Sequence, residues 1–372
     1  MKPKVSIVKC NSYDTALVQE AVRKSLNLIG GISIYVKPGS RVLVKPNILM
    51  AIEPESGIDT HPEVVRAVIT LLKEINCRVM VGDSPSAWAK QIDNVEEVYK
   101  VSGLTKVCRE ENVELVRFDK KRMRERFPLT TWLDNCDHVV SVPKFKTHEL
   151  TLLTGAIKNL YGFVPGTFKA ELHKNYFKQE DFAKILVDIY EEVKPSLTII
   201  DGIVAIEGDG PGTSGKKRDL RLVFAGADCV ALDTVMAAVM NVAPLFVPTT
   251  KEASVRGLGI SDLNKIEIAG EKLESVVQRD FLLPQASRIK KIPLPVLVFL
   301  KRFVKLYPRV MLDKCVRCEA CVEACPKDVI HLTKNSIVFD YTGCISCFCC
   351  QEVCPQAAIK VKKTILARMI GL

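Results

Sequence analysis

The chain has 372 residues and a formal net charge of +10, so it can form one large domain or two to three smaller ones. Hydrophobic residues make up 48% of it, which is ordinary for a globular protein, and no stretch approaches the ~20 apolar residues that span a bilayer. Because only 6% of the residues are aromatic and no known nucleic-acid-binding module is visible, the positive charge does not indicate binding to nucleic acid.

Short apolar strands alternate with amphipathic helices from the N-terminus to about residue 240. Strands are predicted at 4–9, 41–44, 78–81, 113–118, 138–142, 197–201 and 221–225. Helices are predicted at 13–29, 61–75, 94–110, 181–193 and 228–240. This alternation is typical of an α/β fold with a mostly parallel sheet and helices on both faces.

Polar residues follow several of these strands directly, among them Asn47, Asp83, Lys144 and Asp201. In open α/β sheets, ligands bind outside the carboxyl ends of the strands. The sequence therefore predicts one cleft at this edge, lined by residues from the strand ends.

The stretch 143–162, PKFKTHELTLLTGAIKNLYG, concentrates cationic and polar side chains: Lys144, Lys146, His148, Lys158 and Asn159. A run of charge is usually a solvated face, but this one begins just past a buried strand. Three lysines that converge on one cleft would bind an anion such as a carboxylate or a phosphate. We favour this interpretation, with Lys144 and Lys158 as catalytic cations and His148 as the group that transfers a proton.

A loop rich in glycine and acidic residues follows at 201–215, DGIVAIEGDGPGTSG. It matches neither a P-loop nor a dinucleotide-binding fingerprint. A plain surface loop is nearly as good an interpretation as a loop over the cleft. In the second case Glu207 and Asp209 would bind substrate, transfer protons or bind a metal.

Four regions are predicted along the chain: an α/β domain at 1–280, a connector at 281–312, a small domain at 313–361 and a basic tail at 362–372. The connector carries seven basic residues and no acidic one, and its part IPLPVLVFLKRFVKLY predicts an amphipathic helix. A solvated linker is the default interpretation of this charge. As a functional surface it would dock a ferredoxin or other redox protein of acidic charge, which we prefer to a peripheral contact with an anionic membrane.

The small domain contains two runs of cysteines with the spacing C-x2-C-x2-C-x3-C-P. This spacing is that of bacterial ferredoxins with two [4Fe–4S] clusters, in which the fourth cysteine of each run binds the other cluster. One cluster is therefore assigned to Cys315, Cys318, Cys321 and Cys354. The other is assigned to Cys344, Cys347, Cys350 and Cys325. We expect this small domain to have the α+β fold of a bacterial-type ferredoxin.

Two other uses of these cysteines fit poorly. A structural zinc site uses four ligands in two separated pairs. Disulfides need an oxidising compartment, whereas the start, MKPKVSIVKC, is predicted to enter a strand directly, so we expect no targeting segment and a cytoplasmic location. Cys349 is left over, either as a spare thiol beside a cluster or as an alternative ligand during assembly.

Seven segments in order carry a resemblance to a known family: VKPN at 44–47, HPEVVRAV at 61–68, GDSP at 82–85, VPKFKTH at 142–148, TGAIKNLYG at 154–162, DGIVAIEGDGP at 201–211 and ADCVALD at 227–233. Together they resemble the domain of unknown function 362 family, many of whose members end in a two-cluster ferredoxin domain. The resemblance implies an α/β domain with a common site but supplies no secure reaction. It implies that this site contains Lys45, Asn47, Asp83, Lys144, Lys146, His148, Lys158, Asn159 and Gly162.

These observations favour an iron–sulfur oxidoreductase that passes electrons through two [4Fe–4S] clusters to an anionic small molecule in the α/β domain. Two alternatives stay open. The chain could be a non-enzymatic electron-transfer subunit of a larger redox complex, or a protein that binds or delivers a metal or metabolite during maturation of another protein.

Overall fold

The computed structural model describes residues 2–85, 94–176, 178–284, 306–334 and 336–363. Up to residue 284 its strands are Lys4–Lys9 (β1), Arg41–Pro46 (β2), Arg78–Asp83 (β3), Glu114–Arg117 (β4), Lys121–Met123 (β5), Pro128–Thr130 (β6), His138–Val142 (β7), Lys144–His148 (β8), Leu152–Leu153 (β9), Leu197–Gly208 (β10), Gly215–Gly226 (β11) and Glu267–Gly270 (β12). The helices of this part are Thr15–Leu28 (α1), Pro62–Glu74 (α2), Val95–Val101 (α3), Leu104–Glu110 (α4), Gly155–Asn159 (α5), Thr167–Asn175 (α6), Gln179–Val193 (α7), Cys229–Val239 (α8), Pro248–Val255 (α9) and Leu273–Val276 (α10).

A ten-stranded sheet runs through this part in the order β12-β1-β11-β10-β7-β2-β3-β4, with β8 beside the far half of β10 and β9 beside β8. Neighbouring strands from β10 to β4 are parallel, whereas β11 is antiparallel to both of its neighbours. This arrangement confirms the predicted α/β class with a mostly parallel sheet. The carboxyl ends of β2, β3 and β7 therefore meet at one edge of the sheet.

Helices cover both faces of the sheet, and each face has its own apolar core. On one face α1 packs on β1 and β11 and α2 packs on β2 and β3, which buries residues such as Val22 and Val68. On the other face α7 and α8 bury residues such as Phe182 and Val235. The apolar residues of α1, α2 and α7 recur every three to four positions, which gives each helix one stripe to bury.

Two predicted elements differ from the structure. The helix expected over 94–110 is split into α3 and α4, because Gly103 adopts a left-handed conformation (φ +80°) that ends one helix and starts the next. The strands expected at 197–201 and 221–225 are the inner parts of a long hairpin formed by β10 and β11. The loop predicted at 201–215 is therefore largely strand, and only residues 209–214 form the tip of this hairpin.

The C-terminal module, residues 306–334 and 336–363, repeats one small pattern twice. Its elements are Leu306–Val310 (β13), Ala320–Glu323 (α11), Ile330–Leu332 (β14), Ile337–Phe339 (β15), Cys349–Glu352 (α12) and Ile359–Lys363 (β16). Strand β13 pairs with β16, and β14 pairs with β15, in each case antiparallel. Each cysteine run leads into one short helix, so the two halves of the module have the same order of elements.

The pairing of β13 with β16 bears on two sequence-based expectations. The connector helix was expected to continue through Tyr307, but Leu306–Val310 is a strand. For the last segment the sequence pattern fits both a strand-like piece at 358–361 and a helix from Ile359 onward, and Ile359–Lys363 is a strand, in which apolar Ile359 and Val361 alternate with Lys360 and Lys362. The rest of the predicted connector helix, 292–305, and of the tail, 364–372, lies outside the described residues.

Candidate functional site

A buried ion pair stands at the carboxyl ends of β2 and β3. Lys45 Nζ lies 2.7 Å from Asp83 Oδ1, and both side chains are almost fully buried. Asp83 also accepts hydrogen bonds from the backbone N–H groups of Ile48 and Ser84, both at 2.8 Å. Burial lowers the pKa of Lys45, and the neighbouring Asp83 carboxylate opposes this effect. The strand-end rule therefore located Asp83, whose carboxylate is held rigidly by the backbone, and the family resemblance supplied its partner Lys45.

Asn159, the last residue of α5, joins this pair to its surroundings. Its Oδ1 accepts hydrogen bonds from Lys45 Nζ (3.2 Å) and Asn47 Nδ2 (3.0 Å), while its Nδ2 donates to Ser141 Oγ (2.9 Å). Gly162 follows close by, where a Cβ atom would overlap the Asp83 carboxylate and the Lys45 ammonium group. The structure thus brings together Lys45, Asn47, Asp83, Asn159 and Gly162, as the sequence predicts.

These residues open into a cleft with a cavity of about 80 Å³. Its wall is mixed, with cationic, acidic, amide and apolar groups. The lining residues are Lys45, Asn47, Ile48, Leu49, Asp83, Ser84, His148, Lys158, Asn159, Tyr161, Gly162, Lys169, Pro211, Glu352 and Val353. We call this space the lysine cleft.

Lys158 and Lys169 bring two further amino groups to the lining of the lysine cleft. Within the described parts of the chain, the Lys158 ammonium group makes no hydrogen bond and no ion pair within 4 Å. Burial lowers the pKa of Lys158 to about 8, while the nearby Glu352 carboxylate acts in the opposite direction. Lys169 donates to the carbonyl oxygens of Ser84 (2.5 Å) and Pro85 (3.4 Å), and burial lowers its pKa to about 7.

Lys169 was missed by the sequence reasoning. It lies on α6, a short helix with no strong apolar stripe, and not at the end of a predicted strand. No local signal separates it from the other lysines of the chain. Its place in the cleft follows only from the way α6 packs beside Tyr161, whose hydroxyl donates to the Lys169 carbonyl oxygen at 2.6 Å.

His148, at the end of β8, presents a defined ring nitrogen to the cleft. Its Nδ1 accepts backbone hydrogen bonds from Leu150 (3.2 Å) and Thr151 (3.4 Å). In the neutral imidazole the proton is then on Nε2, which lies 3.6 Å from Glu352 Oε1. His148 is therefore placed to donate a proton or a hydrogen bond inside the cleft, in agreement with its predicted position.

The C-terminal module supplies one wall of the lysine cleft through Glu352 and Val353, at the end of α12. The hairpin tip of β10 and β11 holds the module there, because Thr213 Oγ1 donates to the Cys354 carbonyl oxygen at 2.8 Å. At Gly212 a Cβ atom would lie 2.8 Å from the Glu352 carbonyl oxygen, so only glycine allows this approach. Burial raises the pKa of Glu352 to about 8, and Lys158 opposes this effect.

Lys144 and Lys146 do not converge on the lysine cleft with Lys158, contrary to the sequence-based expectation. Lys144 Nζ lies 2.7 Å from Asp201 Oδ2 and donates to the Tyr13 hydroxyl at 2.6 Å. Lys146 Nζ donates to the Ile58 carbonyl oxygen at 2.7 Å. Both lysines lie on one face of β8, but they pack against different segments of the chain. Because a buried ammonium group must be hydrogen-bonded, each lysine donates to the acceptors nearest to it rather than to a shared cleft.

Glu207 and Asp209 are also absent from the cleft lining, contrary to expectation. Glu207 accepts hydrogen bonds from Arg218 Nη1 and from the Leu282 backbone N–H, both at 3.1 Å, so it anchors the hairpin instead. Pro211 is the residue of this loop that reaches the cleft. The loop does lie over the cleft, but its acidic side chains do not enter it.

The eight cysteines surround two cavities in the C-terminal module. One cavity is lined by Cys315, Cys318, Cys321 and Cys354. The other is lined by Cys325, Cys344, Cys347 and Cys350. Each fourth cysteine thus crosses to the other run, as the spacing predicts.

The surroundings of the cysteines suit an iron–sulfur cluster. Backbone N–H groups point at the crossing sulfurs, from Val329 to Cys325 Sγ (3.4 Å) and from Ala358 to Cys354 Sγ (3.2 Å). Apolar residues such as Ile330, Ile337 and Phe339 fill the space around both cavities. Soft sulfur donors in a shielded, apolar setting are the ligand set that [4Fe–4S] clusters require.

Comparison with known proteins gives the family. Residues 42–238, more than half of the chain, match the domain of unknown function DUF362. The chain belongs to the DUF362 family. Residues 307–355 of this DUF362 protein match a 4Fe-4S dicluster domain, so the C-terminal module binds [4Fe–4S] clusters and carries out iron–sulfur electron transfer. Both matches confirm the resemblance found in the sequence.

Two known proteins are similar to this DUF362 protein. Thylakoid-associated protein sll1697 of Synechocystis sp. is 31% identical over 305 residues, which cover 77% of this chain and 93% of that protein. The lactate racemase apoprotein from Thermoanaerobacterium thermosaccharolyticum superimposes with a TM-score of 0.42 and 13% identity, over 64% of this chain and 57% of that one. No helix in the described parts of the DUF362 protein has the length and apolar character needed to cross a bilayer.

Proposed function

We propose that this DUF362 protein is an oxidoreductase that binds a small organic anion in the lysine cleft and exchanges electrons with it through two [4Fe–4S] clusters. One observation carries the proposal. Helix α12 contains Cys350, which lines one of the two cysteine cavities, and it ends with Glu352, which lines the lysine cleft. The electron-transfer site and the anion-binding site therefore share one turn of helix.

The two quartets of cysteines are the proposed cluster ligands: Cys315, Cys318, Cys321 and Cys354 for one, and Cys344, Cys347, Cys350 and Cys325 for the other. Bound there, such clusters supply or accept one electron at a time. Cys349 belongs to neither quartet. It is buried within α12 and lowers the pKa of Cys347 to about 7 through a hydrogen bond between the two side chains.

The residues of the lysine cleft have three proposed roles: binding the anion, forming the floor and donating a proton. Lys158 and Lys169 hold the anion, and their attraction for it is stronger than that of exposed charges because Lys169 is buried and Lys158 is half-buried. Lys45, Asp83 and Asn159 form the rigid floor. His148 Nε2–H faces the same space and donates a proton to the bound molecule, which offsets negative charge that develops during reduction.

The two cysteine runs have different surroundings, which supports a redox protein as a partner. In the second run Cys347 is half-buried, and Ile345 and Ser346 beside it are half-buried as well. In the first run the equivalent Cys318 is exposed, as are Val316 and Arg317. The first run is therefore the accessible side for a ferredoxin or another redox protein, while the second run faces the substrate.

The experiment uses the full-length protein, purified without oxygen and loaded with iron and sulfide. Small molecules that co-purify are identified by mass spectrometry, and each is mixed with protein whose clusters are reduced. The bleaching or recovery of cluster absorbance then measures electron transfer in a single turnover. Lys158→Ala should lower ligand retention at least about tenfold, a loss of about 1.4 kcal/mol of binding free energy.

The matched control is Lys184→Ala, since Lys184 lies on α7 with 55% of its side chain exposed. This variant should retain the ligand and the wild-type rate. If the wild-type protein retains no small anion and forms a stable complex with a larger redox protein, the chain is an electron-transfer subunit and the proposal fails.

A further inference from the structure

We infer that Lys158 is a nucleophile that forms an imine with the carbonyl carbon of a small 2-oxo carboxylate or a related aldehyde acid. The inference rests on the proposed function, because it assumes that the lysine cleft binds an organic anion. It adds the chemical class of that anion and a covalent role for one lysine.

Lys158 is half-buried and differs from the four buried lysines near it in having a free amino group. Lys45 is held by Asp83, the Pro46 carbonyl oxygen and Asn159. Three further lysines are held by acceptors of the protein, at distances of 2.5 to 2.7 Å: Lys144, Lys146 and Lys169. Within the described residues, Lys158 alone among these five has no hydrogen-bonded acceptor, so its nitrogen lone pair is available once a proton is lost.

The setting of Lys158 makes the neutral amine accessible. Burial lowers its pKa to about 8, the nearby Lys45 charge acts in the same direction, and Glu352 opposes both. About one amine in ten is then neutral at pH 7, whereas an exposed lysine of ordinary pKa is almost entirely protonated. Burial and neighbouring cations are the two features that activate nucleophilic lysines in enzymes.

The other groups of the lysine cleft indicate which class of carbonyl compound would react with the Lys158 amine. The Lys169 amino group lies on the same lining and offers a carboxylate an N–H donor, with a positive charge in its protonated form. A cavity of about 80 Å³ has room for only a few carbon atoms. A carbonyl group next to a carboxylate would place its carbon near Lys158 while the carboxylate contacts Lys169.

The proposed step conserves atoms and needs no oxidant or reductant. The Lys158 nitrogen forms a bond with the carbonyl carbon, and the carbonyl oxygen takes a proton to give a carbinolamine. The carbon–oxygen bond then breaks as His148 Nε2–H, on the same lining, protonates the departing oxygen, which leaves as water. The nitrogen returns its remaining hydrogen to His148 as a proton, so the amine loses two hydrogens and the oxygen gains two.

Trapping with pyruvate tests the inference. The full-length, cluster-loaded protein is incubated with pyruvate and sodium cyanoborohydride, which reduces imines to stable amines, and the modified lysines are located by peptide mass spectrometry. Lys158 should carry one pyruvate adduct at pH 7 and react at least about tenfold faster than the exposed Lys184, given the difference in neutral amine. The rate should rise as pH increases through about 8.

Lys158→Arg separates the covalent role from the charge, because arginine keeps a cation but cannot form the imine. This variant should lose the adduct and retain affinity for oxamate, an analogue of pyruvate whose amide carbonyl does not form imines. If the wild-type protein binds oxamate but Lys158 reacts no faster than Lys184, the imine inference is overturned and the anion-binding cleft stands. If the wild-type protein binds neither oxamate nor pyruvate, both the inference and the proposed anion site fail.

Discussion

Gly162→Ala should destabilise the α/β domain by about 3–5 kcal/mol, although it adds only one methyl group. The added Cβ would overlap the Asp83 carboxylate and the Lys45 ammonium group. Asp83 cannot move aside without losing its backbone hydrogen bonds to Ile48 and Ser84. Separating a buried ion pair costs about 3–5 kcal/mol, because each charge is left without its partner in a medium of low dielectric constant.

The change is measured by urea unfolding followed by far-ultraviolet circular dichroism, with cluster absorbance recorded separately so that loss of the C-terminal module is not counted. Gly39→Ala is the control, since Gly39 has φ +76° and no heavy atom near its Cβ position. It should cost roughly 1–2 kcal/mol from backbone strain alone. If Gly162→Ala costs no more than Gly39→Ala, the ion pair is not held rigidly and our description of the cleft floor is wrong.

Three further predictions concern single side chains. Lys169→Met should weaken anion binding yet raise the unfolding free energy, and the gain should be larger at pH 6 than at pH 10. The pKa of Lys169 is about 7 in the folded state and near 10.5 in the unfolded state, so the native state binds fewer protons between these values. The cost of burying the charged lysine is therefore fully present only at low pH, and that cost is what the substitution removes. An equal gain at both pH values in urea titrations would contradict this. Lys144→Met should lower the unfolding free energy by about 3–5 kcal/mol, because Asp201 is left buried and unpaired, while ligand retention by the folded protein stays near wild type. Loss of retention without destabilisation would return Lys144 to the site. Cys349→Ser should leave about eight irons and eight sulfides per chain by chemical analysis, since each quartet is already complete. A fall to about four would show that Cys349 is a ligand.

The parts of the molecule that the sequence predicted are those set by local rules. The spacing within each cysteine run determines which sulfurs can meet, so both quartets could be written down before the structure was known. The ends of β2 and β3 must meet at one edge of a parallel sheet, which located Asn47 and Asp83, whereas Lys45 came from the family resemblance. Apolar periodicity likewise predicted the helices that cover the sheet.

The parts that it did not predict depend on contacts between distant segments. Lys144 turns to Asp201 and to Tyr13, which is 131 positions away in the chain. Lys158 of the α/β domain lies near Glu352 only because the C-terminal module docks on that domain. Two-residue periodicity correctly placed Lys144 and Lys146 on one face of a strand, but it carries no information about which acceptors cover that face.

The docking of α12 has a consequence for the order in which the protein matures. Glu352 and Val353 belong to the C-terminal module, whose cysteines surround two cavities. Because metal binding is commonly coupled to folding, we expect this module to fold fully only when its clusters are bound. Before the clusters are bound, one wall of the lysine cleft would then be missing. A chain without its iron would then lack the wall that Glu352 and Val353 provide, so anion binding at the proposed site should depend on prior loading of the C-terminal module.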